Sequence, residues 1–235
     1  MAGDSPNLMF TPSRKGNNPY NPDPTSDTIT VKVGMPDFND GSDIFTVQKS
    51  VLYNDDQFRG GCWINGDRTV HLRAKPEDFK TYMTWLYTRR LPEHIADPKL
   101  DTESNLDWLP TSYGLARKVG DPRYQDVLIS RMIECARRIE SFPNISFVAS
   151  LYDVTEGLAH TPDILGRDLM IDIWTWKCRP EWQDIDYFAE ADYMEFSEHL
   201  ISALIAHRNA SPEELVEPWA SSQADRYLVG ATQDE

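Results

Sequence analysis

Along the chain, Ile29, Val31 and Val33 alternate with Thr30 and Lys32, the period-two pattern of a strand with one buried face. A turn at Asn39-Asp40-Gly41 leads to Ile44, Phe45 and Val47, a second short strand that pairs back on the first as a hairpin. Val70-His71-Leu72-Arg73 alternates once more and predicts a third strand. The period then changes. Pro76-Glu77-Asp78 opens a helix in which Phe79, Tyr82, Met83 and Leu86 share one apolar stripe, and Arg89-Arg90-Leu91-Pro92 ends it.

A polar connector runs from Pro92 to Asp107, and Leu109 to Gly120 predicts a short helix with Tyr113 and Ala116 inward and Gly120 just past its end. Asp121-Pro122 restarts the chain as N-cap and first helical residue, and Tyr124, Val127, Leu128, Met132, Cys135 and Ile139 then follow one face. After Pro143 the apolar run continues through Phe147, Val148 and Leu151. Thr161-Pro162-Asp163 opens a helix carrying Leu165, Leu169, Ile173 and Trp176, and a last helix from Tyr193 to His207 sets Phe196, Leu200 and Leu204 in line. Strands first and helices afterwards, with no alternation past residue 75, predict an α+β domain with an all-α C-terminal part. The shared spacing places Phe79, Leu86, Leu115, Val127 and Met132 in one core. Residues 1–26, with Pro6, Pro12, Pro19, Pro22 and Pro24, read as a flexible tail, and residues 211–235 as an acidic, frayed one.

Composition narrows the function classes. The 235 residues are 40% hydrophobic, enough for a real core, and 23 Lys+Arg against 38 Asp+Glu leave a net charge of -15. Such a polyanion is repelled by nucleic acid, and the pairs Arg89-Arg90 and Arg137-Arg138 do not form a basic patch. No segment approaches the roughly 18 apolar residues that span a bilayer, and the first residues do not resemble a secretory leader, so the expectation is an intracellular protein, cytoplasmic or nuclear, that does not meet a membrane.

Candidate chemistry is sparse. Cys62, Cys135 and Cys178 are too far apart in sequence for a thiolate metal motif or a disulfide framework, and His71, His94, His160, His199 and His207 show no ligand spacing. The stretch Asp37 to Gln48 misses a calcium loop, with Gly41 at position five and Gln48 where a bidentate Glu belongs. Neither a Gly-x-Ser-x-Gly elbow nor a phosphate-cradling glycine loop occurs. The expectation is a protein that is not an enzyme and has no metal and no cofactor.

One set of residues points to a family. Asp27, then Phe45-Thr46-Val47-Gln48-Lys49-Ser50-Val51-Leu52, Phe58-Arg59, Val70-x-Leu72, Phe79 and Trp85-Leu86-Tyr87-Thr88-Arg89-Arg90-Leu91 resemble the motif order of the BTB/POZ family. Tyr113-x-Leu115-Ala116-x-Lys118 and Asp121-Pro122-Arg123-Tyr124-Gln125 resemble the family's paired helices. Tyr152 to Gly157, Arg167-Asp168-Leu169 and Trp174 are similar to the helical extension of fungal BTB proteins. The resemblance covers about residues 27 to 207. Gln48 stands where the family has His, and Arg89 where it has Gly, a departure that predicts a turn with no need of positive φ.

The resemblance implies a small β-sheet covered by helices over residues 27–140 and a helical extension over 141–210. It also implies a protein-interaction scaffold that forms homodimers or heterodimers with protein partners. Some members bind cullin scaffolds as ubiquitin-ligase substrate adaptors; that role is the alternative function. The candidate interaction surface is Val51, Leu52, Tyr53, Phe58, Trp63 and Ile64. A second reading of Val51 to Phe58 stands beside it, in which these residues pack beneath the C-terminal helices.

Overall fold

The computed structural model describes residues 27–34, 42–52, 58, 63–65, 69–92, 106–140, 142–155, 165–177, 194–211, 215–217 and 219–229. Four strands, β1 (Thr28–Val33), β2 (Asp43–Gln48), β3 (Trp63–Asn65) and β4 (Thr69–Leu72), form one sheet in the order β2-β1-β4-β3. β1 and β2 pair antiparallel with Ile29 opposite Val47, the predicted hairpin, while β1 and β4 run parallel with Val31 opposite Val70. Side-chain alternation puts Ile29, Val31, Val33, Val47, Val70 and Leu72 on the buried side and leaves Thr30, Ile44 and Thr46 exposed. β3 was not predicted; three residues are too few to show a period.

Among the described residues seven helices follow, α1 (Pro76–Thr88), α2 (Trp108–Lys118), α3 (Pro122–Arg138), α4 (Ile145–Thr155), α5 (Leu165–Lys177), α6 (Met194–Asn209) and the single-turn α7 (Ser221–Ala224). The chain is an α+β protein, the strands of its sheet all preceding α1. Phe79, Leu86, Leu115 and Met132 are buried, and Val127 packs half-buried against them, in one hydrophobic cluster that continues through Phe147, Leu169 and Trp174 to Phe196. The α/β part and the helical part therefore share apolar contacts instead of standing as separate cores.

Two helix ends show how local chemistry sets the path. Gly120 has φ 64°, as its place after α2 predicted. Arg89 corrects an expectation: it has φ 56°, so the position where a glycine is usual in the family resembled is left-handed here as well. A residue with a Cβ is disfavoured in that region. Its contacts offset this cost. The Arg89 N–H donates to the Trp85 carbonyl at 2.7 Å, its guanidinium lies 4.4 Å from the Trp85 ring centroid, and Nη2 donates to the Val51 carbonyl at 3.4 Å.

Between α2 and α3, Asp121 is fully buried, and its carboxylate accepts from the backbone N–H of Arg123 and Tyr124, from the Tyr82 hydroxyl at 3.2 Å and from the Arg123 guanidinium. The predicted N-cap is thus also a tie to α1. Burial, followed by the Asp121 charge, raises the Tyr82 phenol well above its ordinary value and keeps it a donor.

The C-terminal residues depart from the expected frayed tail. Tyr227 is buried and donates to Asp172 Oδ2 at 2.7 Å, and the Val229 N–H donates to Asp126 Oδ1 at 2.7 Å. No helical or strand period marks this segment, because its anchors, Trp219, Tyr227 and Leu228, are spaced irregularly.

Replacing Asp121 with Ala removes the cap and leaves the buried Tyr82 hydroxyl without its acceptor. A loss of about 1–3 kcal/mol is expected in urea unfolding. An unchanged midpoint and slope would contradict this role.

Candidate interaction surface

The six residues singled out from the sequence do not form one open surface. Val51, Leu52 and Phe58 are buried within the chain's own core. The resemblance that marked them does not separate a docking face from core packing, and these three belong to the core. Tyr53 lies outside the described residues. Trp63 and Ile64 lie in β3, paired through the backbone with His71 and Val70 of β4.

A different surface is left open, on α6. This helix is held by a polar hub at Arg167, near the start of α5. Arg167 is buried; Nε donates to Thr155 Oγ1 at 2.7 Å, Nη2 to the Tyr152 carbonyl at 2.9 Å, and Nη1 to the Glu195 carboxylate in the first turn of α6. Its guanidinium carbon also lies 4.3 Å from the centroid of the Tyr152 ring. One cation thereby joins α4, α5 and α6. Burial raises the Tyr152 phenol far above its usual value, the Arg167 charge opposing that shift, so Tyr152 is uncharged in this packing.

Apolar contacts complete the seat. Phe196 is buried, with its ring 5.5 Å from Tyr152 and 5.7 Å from Trp174, both edge-to-face. Leu200 is buried and Ala203 packs against the core, while the His207 ring meets Trp176 at 5.1 Å. Positions 196, 200, 203 and 207 fall on one helical face.

The other face of α6 is also apolar. Ile201 and Ile205 are each 58% exposed, Met194 55% and Leu204 40%. Leu204 corrects the predicted alignment with Phe196 and Leu200. Eight residues carry a side chain about 80° beyond full turns, so a four-residue repeat drifts off the buried face and Leu204 joins Ile201 and Ile205 outside. The doublets Leu200-Ile201 and Leu204-Ile205 were the signal available in the sequence, since one buried stripe needs only one member of each. Elsewhere among the described residues, the large exposed apolar side chains are Ile44 and Val216, which belong to separate segments. Clustering therefore distinguishes α6 from ordinary scattered exposure.

A cleft of about 400 Å³ lies beyond the ends of α3 and α5, lined by Arg137, Lys177, Trp176 and Trp219 among others. Its cations already serve the fold. Arg137 donates to the Trp219 carbonyl, and Lys177 Nζ donates to the Ile139 carbonyl at 2.7 Å while lying 5.4 Å from the Trp219 ring centroid. The cleft closes the C-terminal strap onto α3 and α5. Among the described residues there is no cluster of three or more potential metal ligands and no helix long and apolar enough to cross a membrane.

No protein-family model, curated protein or solved structure matches the chain.

Removing the hub should loosen α6 first. Arg167→Ala removes the guanidinium bonds to Thr155, to the Tyr152 carbonyl and to Glu195 and is expected to lower stability by about 2–4 kcal/mol, with the half-exposed Glu195 making the smallest share. Hydrogen exchange read by mass spectrometry should show faster exchange in α6 than in β1 or α3. Uniform protection equal to that of the parent protein would rule out this role.

Proposed function

We propose that the chain is a protein–protein interaction module, a scaffold or adaptor built on a BTB-like domain with a helical extension. The observation that carries the interaction reading is the exposed apolar face of α6, where Met194, Ile201, Leu204 and Ile205 stand in water on a helix whose opposite face is fixed to the core. Fully burying one such side chain stabilises by about 1.5–3 kcal/mol, which makes the face a favourable seat for an apolar partner surface. A net charge of -15 argues for protein over nucleic acid as that partner.

The BTB-like part of the reading is supported by how the residues that carry the resemblance meet. Lys49 Nζ lies 3.5 Å from Asp27 Oδ2, and the Lys49 N–H donates to the Asp27 carbonyl at 2.9 Å. The Gln48 N–H donates to Tyr87 Oη at 3.1 Å, and Arg89 reaches Val51. Motif pieces 22 to 39 residues apart are thus bonded to one another, with the Gln48 backbone supplying the donor to Tyr87.

In native extract of cells expressing the tagged full chain, size-exclusion chromatography should place it in an assembly larger than its own 27.0 kDa. Ile201→Glu combined with Ile205→Glu should return it to the single-chain position without loss of folding by circular dichroism. Elution of the parent chain at the single-chain position, or an assembly indifferent to the two substitutions, would contradict the proposal.

A further inference from the structure

The exposed face of α6 carries its own charge pattern. Glu198 and Arg208 are both exposed, and neither makes an ion pair with another described residue. Each lies five residues from position 203, about 7.5 Å along the axis in opposite directions. Ile201 and Ile205 each lie two residues from the same point, about 3 Å away. The face is therefore palindromic in chemistry, reading Glu, Ile, Ile, Arg outward from a centre, with opposite charges at its two ends.

A surface with that pattern complements itself under a two-fold rotation. In an antiparallel pair of α6 helices crossing at the level of residue 203, Ile201 of one copy faces Ile205 of the other, and Leu204, which falls opposite Ser202 of the mate, lies at the margin of the contact. Glu198 of each copy then lies opposite Arg208 of its mate, twice per pair. A parallel pairing would instead set Glu198 against Glu198 and Arg208 against Arg208. Isologous contacts of this kind are the commonest route to closed homodimers.

We propose that α6 is a homodimerisation face, and that its occupant is a second copy of this chain packed antiparallel across Ile201 and Ile205, with Leu204 at the margin and reciprocal Glu198–Arg208 pairs. The inference rests on the reading of the chain as an interaction module and names its partner. One helix pair buries less than the about 1,600 Å² of a standard interface, so the self-association is weaker than that of a standard-size complex and depends on concentration. The apolar centre supplies affinity, and the charges fix direction and register.

Sedimentation equilibrium of the purified full chain, from about one micromolar to several hundred micromolar, tests this directly. The parent protein is expected to pass from 27.0 kDa toward twice that mass. Glu198→Arg alone and Arg208→Glu alone each place like charges opposite one another twice, and each should weaken self-association about tenfold or more. The double variant, and an equimolar mixture of the two single variants, both restore opposite pairs and should return to within about threefold of the parent.

All of these positions are exposed, and circular dichroism of each variant should match the parent. A parent chain that stays at 27.0 kDa throughout overturns the self-association. If the extract assembly persists under that outcome, the interaction-module reading stands with a different partner; if it too is absent, both fall. A dimer unaffected by the single charge changes places the interface elsewhere, and a mixture that fails to recover overturns the antiparallel register.

Discussion

A single buried cation organises the helical half of the molecule. Removing a guanidinium from water costs several kcal/mol unless its donors are filled, and the donors of Arg167 are filled only when α4, α5 and α6 are together. Thr155 and the Tyr152 carbonyl bring α4, and Glu195 brings α6. Thr155 is itself fixed, its hydroxyl donating to the Leu151 carbonyl while it accepts from Arg167. Charge compensation therefore requires α6 to seat with Phe196 inward. The geometry of a helix then leaves Ile201 and Ile205 outward, on the far side from Phe196 and Leu200, with Leu204 exposed at the edge between the two faces.

The α/β half uses the same device with the opposite sign. Asp121 is a buried anion whose partners come from α1 and from the first turn of α3. Each buried charge lies at a junction that apolar packing alone would leave free to slide, and hydrogen-bond direction fixes the alignment there. With 38 acidic residues in the chain, most negative charge lies elsewhere and opposes close approach of two copies. The face of α6 is locally more balanced, with Glu198 and Arg208 at its two ends and aliphatic side chains between them.

The parts of this architecture that repeat were legible in the sequence. Period-two alternation located β1, β2 and β4, and Asp121-Pro122 located the start of α3, because local chemistry decides both. Three features were not legible for definite physical reasons. β3 is too short to show alternation, even though its partner β4 begins only four residues after it ends. The left-handed Arg89 looked like a sign against positive φ, yet a cation over Trp85 and a bond to the Val51 carbonyl accompany that backbone.

Val51, Leu52 and Phe58 of the candidate surface are core residues for a related reason: an apolar run such as Val51-Leu52 has the same composition whether it faces the core or a partner, and burial decides. The doublets in α6 were the better signal, since a helix with one buried face has no use for a second apolar stripe.

The central claim is that α6 meets a second copy of the chain through Ile201 and Ile205, and methyl-resolved NMR of isoleucine-labelled protein reads those two side chains individually. Over a dilution series, the account predicts that the δ1-methyl resonances of Ile201 and Ile205 shift together with one dissociation constant, while those of the buried Ile129 and Ile173 stay fixed. Concentration-independent Ile201 and Ile205 resonances, or shifts confined to the exposed Ile44 on β2, would contradict it.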